Sequence, residues 1–230
     1  MNRLVAKSIG IQGRLEPTSL EVEAGTLTCL IGPNGSGKTS LLHAIAGIGT
    51  GNGEVRIDGV DPWAAPPSAR PRLITYLPAS RDVKWPLTAS DLIRLGGEAD
   101  IGPVVTDLEL EAFADRRIDQ LSTGERTRVL IARALVPRPR VALLDEPVAN
   151  LDPLWQLKLM RHLRVLASQG GQAVIIAAHD LDLAGRFADR LIVMSRGRIV
   201  ADGGRDLLES NVIGEVFGVE HRDGAWQPLA

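Results

Sequence analysis

Cysteine is nearly missing from this 230-residue chain. Cys29 stands alone, so no internal disulfide can form, and its place in the apolar run LTCLIG (27–32) predicts a small buried side chain in a reducing compartment. Excess positive charge is missing as well. Against 28 Asp and Glu there are 26 Lys and Arg, a formal net charge of -2, which denies the chain the basic field that sequence-independent nucleic-acid binding relies on. No segment approaches the roughly 20 uninterrupted apolar residues of a membrane span, and the first 19 residues carry no apolar stretch of the signal-peptide kind. A membrane role therefore has to come through a partner. No repeat of about 20 to 50 residues is present, and only DPWAAPPSARP (61–71) is proline-rich enough to predict an irregular surface loop. Aromatic residues are scarce, and none occurs from Met1 to Ile31.

A chain of this length buries one substantial core, or one core with a small appended lobe. SLEVEAG (19–25) and GEVRIDG (53–59) alternate apolar and polar residues as half-exposed antiparallel strands do. The pattern then changes. TLTCLIG (26–32), LITYLP (73–78), RVALLDEP (140–147) and QAVIIAAHD (172–180) are nearly continuous apolar runs, the composition of parallel strands covered on both faces. Helical stretches intervene at KTSLLHAIAG (38–47) and at DPLWQLKLMRHLRVLASQGG (152–171), the second with Pro153 near its start and a glycine pair at its end. This is an α/β pattern. Between Ala79 and Gln120 the strand signals disappear, and TASDLIRLG (88–96), with a Thr88/Asp91 capping pattern, opens an inserted helical lobe.

GPNGSGKT, Gly32 to Thr39, lies between an apolar strand and a helix, the context that gives G-x-x-x-x-G-K-[ST] its meaning. Glycines permit a tight loop whose N–H groups converge on β- and γ-phosphates; Lys38 adds a point charge, and the Thr39 hydroxyl suits Mg²⁺. Pro33, Asn34, Gly35, Ser36, Gly37 and Ser40 complete the predicted nucleotide-binding set. RVALLDEP ends with Asp145 and Glu146 at the carboxyl end of a buried strand, where open α/β sheets bind ligands. There Asp145 is suited to the Mg²⁺ shell, and Glu146 to orienting and deprotonating an attacking water. LSTGERTRVLIARAL (121–135) runs from small polar residues into a helix, and unpaired N–H groups at Ser122, Thr123 and Gly124 would suit a second phosphate.

These stretches, with NLD (150–152) and AAHD (177–180), occur in the order and spacing of the nucleotide-binding subunit of ABC transporters, which the chain resembles over nearly its whole length. The most specific element is LSTGE (121–125), in the place of that family's signature LSGGQ. The resemblance implies an ABC ATPase fold: a P-loop NTPase core with a mostly parallel sheet, an N-terminal antiparallel β subdomain and a short inserted helical lobe. One domain spans 1–230, with 1–78 and 136–230 forming the core and 79–135 the lobe and signature. It also implies that two cassettes pack head to tail, so that Ser122 and Gly124 of one copy contact the γ-phosphate of ATP held by the other's phosphate loop. Asp152 would then lie at the subunit boundary, and His179 would reach the γ-phosphate beside Lys38 and Glu146. ATP and Mg²⁺ are the implied cofactors. The implied partners are integral-membrane permease subunits and a second cassette, with a solute-binding protein acting indirectly. The implied location is the cytoplasmic face of the membrane.

Three departures stand out. Ala79 follows YLP where the family usually has Gln, a Mg²⁺ ligand and relay to the lobe; if the strand continued, Ser80 would point the other way, so weakened coupling is expected. The absence of an early aromatic removes the usual adenine stack, leaving Arg14 or Ile11 as substitutes and predicting weak base discrimination. Thr123 and Glu125 replace a glycine and a glutamine of the signature, and the lobe looks short around residues 96–113. WPLTASDLIRLG (85–96) and residues 177–203 resemble the cassettes of iron-chelate, haem and vitamin B12 importers, with Trp85 either a surface aromatic or a permease contact. A regulatory cassette of little activity, a soluble ABC ATPase outside transport and a phosphate-loop kinase are the competing readings.

Overall fold

The computed structural model describes residues 2–49, 51–81, 86–222 and 225–229. In chain order the elements are β1 (Asn2–Ile11), β2 (Leu15–Glu23), β3 (Leu27–Ile31), α1 (Lys38–Ile45), β4 (Gly51–Ile57), α2 (Arg70–Leu73), β5 (Ile74–Leu77), α3 (Ala89–Arg94), α4 (Gly102–Asp107), α5 (Thr123–Leu135), β6 (Val141–Asp145), α6 (Pro153–Gly170), β7 (Ala173–Ala177), α7 (Leu181–Phe187), β8 (Arg190–Ser195), β9 (Arg198–Gly203), α8 (Asn211–Phe217), β10 (Val219–Arg222) and β11 (Ala225–Pro228). Among the described residues no helix is long and apolar enough to cross a membrane.

The two predicted strand types separate into two sheets. β2 buries Leu20 and Val22 and exposes Glu21 and Glu23, and it joins β1 and β4 in an antiparallel sheet ordered β2-β1-β4. β3, β6 and β7 are buried at every position and lie inside a six-stranded sheet ordered β5-β6-β7-β3-β8-β9, parallel except for β9. Successive residues of these strands serve opposite faces. Leu143 and Ile175 pack with Leu41, Leu42 and Ile45 of α1 against Leu4 and Ile57 of the smaller sheet, whereas Leu144 and Ile176 pack with Leu159 and Leu163 of α6. Cys29 is fully buried in that second layer, and burial, aided by the nearby Asp189, pushes its thiol pKa up.

The helix ends follow their sequence signals. Asp152 accepts the Trp155 N–H at 3.0 Å and Pro153 opens α6, while Gly171 closes it in the left-handed conformation. Thr88 caps α3 by accepting the Asp91 N–H at 3.1 Å, and its hydroxyl donates to the Asp91 carboxylate at 2.7 Å instead of the Thr88 N–H being reciprocally bound. The proline-rich stretch is a series of turns, held by Arg70 donating to the carbonyls of Pro62, Trp63 and Ala65.

Strand order also positions the functional residues. β6 lies beside β7, with Asp145 opposite Ala177, so Asp145, Glu146 and His179 emerge together at the carboxyl end of neighbouring strands. β3 lies on the other side of β7, and its carboxyl end leads into the Gly32–Gly37 loop.

Candidate functional site

The loop between β3 and α1 is shaped by backbone contacts. At Gly32 a Cβ would lie 2.3 Å from the Met194 carbonyl oxygen, and at Gly37, with φ 104°, it would lie 3.0 Å from Gly197 Cα. Neither place admits a side chain. The Gly197 N–H donates to the Ser36 carbonyl at 2.9 Å and the Glu16 N–H to the Gly197 carbonyl at 3.0 Å, so the β8–β9 turn ties this loop to the start of β2.

Lys38 opens α1 and is buried. Its Nζ donates to the carbonyls of Gly32 at 2.6 Å and Pro33 at 3.1 Å, which leaves one of its three N–H bonds for a ligand. Burial lowers its pKa, and Glu146 and Asp145 act against that fall by favouring the charged form.

Asp145 is 1 % exposed, and burial raises its pKa, countered in part by the Thr39 and Tyr76 side chains. The Tyr76 hydroxyl donates to Asp145 Oδ2 at 3.4 Å, and His43 Nε2 lies 2.9 Å from that hydroxyl. Burial and the Asp145 charge push the phenol pKa up, so Tyr76 remains the donor toward Asp145. Asp145 Oδ1 is buried with no hydrogen-bond partner among the described residues. Glu146 continues the ladder through its N–H to the Ala177 carbonyl at 3.1 Å, but at φ 50° it turns the chain and brings its side chain into the cleft. His179 Nε2 hydrogen-bonds Glu146 Oε1, and the carboxylate fixes Nε2 as the protonated nitrogen of that pair.

These groups surround an open cleft of about 760 Å³, the size of a nucleotide site. Asn34 to Ser40, Glu146 and His179 line it. Gln12, Arg14 and Arg196 line it as well, and no Phe, Tyr or Trp does among the described residues. Ile11, the alternative base contact, packs against the core and does not line the cleft. Arg196 was not legible as a site residue, because only the β8–β9 turn brings it beside Arg14.

Ser122 and Gly124 lie elsewhere. They begin α5, where a Cβ on Gly124 would be 3.4 Å from the Asn150 carbonyl, and neither lines the cleft. One expectation fails: the Ser122 N–H is not free. It donates to Glu125 Oε2 at 2.8 Å while Ser122 Oγ accepts the Glu125 N–H at 3.2 Å, a reciprocal capping box that also lowers the Glu125 pKa. The glutamate in place of glutamine supplies that acceptor. The Thr123 and Gly124 N–H groups remain outside the helical ladder, and the Ser122 hydroxyl hydrogen remains free to donate. Asp152 is exposed and caps α6, a structural role independent of any boundary.

β5 ends at Leu77, so strand alternation does not reach Ser80, and Ala79 and Ser80 are both exposed in a bend. Trp85 lies outside the described residues. Among the described residues of this loop Arg81 reaches the site, and no sequence motif singled it out.

Residues 15–149 match the family model described as ABC transporter. The chain is 38 % identical over 237 aligned positions to a hemin import ATP-binding protein of Rhizobium meliloti (strain 1021), covering 94 % of this chain and 90 % of that one. It is 31 % identical to a petrobactin import ATP-binding protein of Bacillus subtilis (strain 168), covering 94 % and 91 %. A dimeric ATP-binding cassette solved in a post-hydrolysis state with ADP and phosphate superposes with a TM-score of 0.76 at 28 % identity, covering 88 % of this chain and 98 % of that one. The phosphate loop, the paired carboxylates and the capped helix at Ser122 thus sit in a fold and a sequence shared with ATP-binding cassettes throughout, and the chain belongs to the ABC transporter family.

Proposed function

We propose that this cassette binds and hydrolyses ATP between two copies of itself to power an importer of metal chelates, of the siderophore, haem or cobalamin class. One observation carries the shared-site reading: the cleft holding Lys38, Glu146 and His179 is separate from the α5 N-terminus, where Ser122 and Gly124 offer donors that the same chain's cleft does not use. The import names of relatives at 31–38 % identity support the transport class and the chelate class.

Within one site, Lys38 and the loop N–H groups hold the β- and γ-phosphates, Glu146 takes the proton of the attacking water, and His179 keeps the Glu146 carboxylate oriented. The P–O bond to ADP then breaks. Thr39 and the unpartnered Oδ1 of Asp145 fit a magnesium ion arriving with the phosphates, a hard cation that takes oxygen ligands. Bound there, the ion would neutralise phosphate charge. The donors of α5 in the second copy close over the γ-phosphate, and loss of that phosphate opens the dimer. Residues 79–135 would form the lobe that receives the permease, on the cytoplasmic face of the membrane.

Turnover of Mg²⁺-ATP by the purified chain is expected to rise faster than linearly with protein concentration. A strictly linear dependence across the accessible range would contradict the shared site. Because Arg14 and Arg196 line the cleft with no Phe, Tyr or Trp beside them among the described residues, GTP is expected to compete with ATP about equally, neither base gaining the stacking worth about 1 to 3 kcal/mol. Strong ATP preference in a competition assay would refute that reading.

A further inference from the structure

Arg81 follows the exposed bend after β5 and is itself only 8 % exposed. A single nitrogen, Nη2, donates to the carbonyls of both Asp145 and Glu146, each at 3.1 Å. Those carbonyls belong to the turn in which Glu146 adopts φ 50°, a conformation a non-glycine residue holds only when its surroundings impose it. The same turn is fixed by the Glu146 N–H on Ala177 and by the Ala149 N–H on the Glu146 carbonyl at 3.2 Å. Among the described residues, Arg81 is the side chain from outside β6 and β7 that grips the backbone of this turn, whereas Tyr76 reaches only the Asp145 side chain.

Arg81 Nε and Nη1 are buried with no hydrogen-bond partner among the described residues, and taking a guanidinium out of water carries a desolvation cost that an apolar side chain does not. What the guanidinium gains is a two-carbonyl grip beside the charges of Asp145 and Glu146. The segment carrying it leads from β5 toward α3, and α3 packs along α5.

We propose that Arg81 is a positioning residue for hydrolysis: its guanidinium clamps the Asp145–Glu146 turn and so holds the Glu146 carboxylate toward the attacking water. Resting on the hydrolase reading above, this adds a residue that no sequence motif singled out. Displacing a reacting group by about 1 Å costs on the order of 100-fold in rate. Arg81→Ala is therefore expected to lower kcat for Mg²⁺-ATP by about that factor, with KM for ATP within about threefold of wild type. Guanidinium ion at about 20 mM, far below denaturing concentrations, should restore part of the lost kcat by occupying the vacated space. Arg81→Lys keeps the buried charge but loses the planar grip, and should lower kcat about tenfold; it also serves if the alanine variant fails to fold.

A kcat within about twofold of wild type in either variant overturns the assignment. So does a loss of kcat matched by a rise in KM and a lower melting temperature, with no recovery on adding guanidinium, because that pattern is a folding defect. Absence of turnover in the wild-type chain overturns the hydrolase reading instead, and this assignment falls with it.

Discussion

Glu146→Gln lowers Mg²⁺-ATP turnover by about 10²- to 10⁴-fold, the contribution of a positioned general base, while ATP binding persists. The expectation comes from position. Glu146 sits where β6 turns out of the sheet, its N–H still on the Ala177 carbonyl and its carboxylate in the cleft opposite the phosphate loop. The amide has the same shape and still accepts the His179 hydrogen bond, so the form of the cleft is kept, while Lys38 retains Asp145 as a carboxylate that favours its charged form. It cannot accept a proton. At 1.36 kcal/mol per factor of ten, the loss is about 3 to 5 kcal/mol of barrier. Phosphate release measured against ATP binding on the same sample checks it, and a variant turning over within tenfold of wild type would remove Glu146 from the role of base.

Gly124→Asp should abolish turnover from outside the cleft. Gly124 lies half-buried in the first turn of α5, where a carboxylate favours the helix through its dipole, and the added Cβ would meet the Asn150 carbonyl at 3.4 Å and Leu151 at 3.9 Å, both ordinary contacts. Stability should stay level or rise slightly. The carboxylate would, however, face the γ-phosphate of ATP held by the other copy, and like charges brought together in an enclosed interface repel strongly. Turnover is expected to fall more than about 100-fold, with ATP affinity of the single chain unchanged, since like-charge juxtaposition in an interface costs several kcal/mol. Melting curves, ATP titration and phosphate release on one preparation separate these effects. Unchanged turnover would mean that α5 does not close on a nucleotide.

The sequence made some of this architecture readable, and the reason is local chemistry. Continuous apolar runs at 27–31, 141–145 and 173–177 identify strands covered on both faces, and they are buried at every position. GPNGSGKT and the Asp145/Glu146 pair are legible because their spacing alone brings donors and carboxylates to strand ends. β1 was harder, because NRLVAKSIGI mixes charges into its apolar pattern and its pairing with both neighbours is broken by register shifts. The state of Ser122 depended on a side chain three residues ahead. Arg81, Tyr76, His43 and Arg196 could not be read at all: each reaches the site only through strand order or a turn joining distant segments, and none belongs to a local pattern.

Sedimentation velocity on the Glu146→Gln chain, with and without saturating ATP, tests the shared site most directly, because the variant retains nucleotide that wild type would consume. The account predicts a monomer without ATP and a dimer with it, the dimer lost again when Gly124→Asp is added. A Glu146→Gln chain that binds ATP and stays monomeric across the accessible concentrations would contradict it.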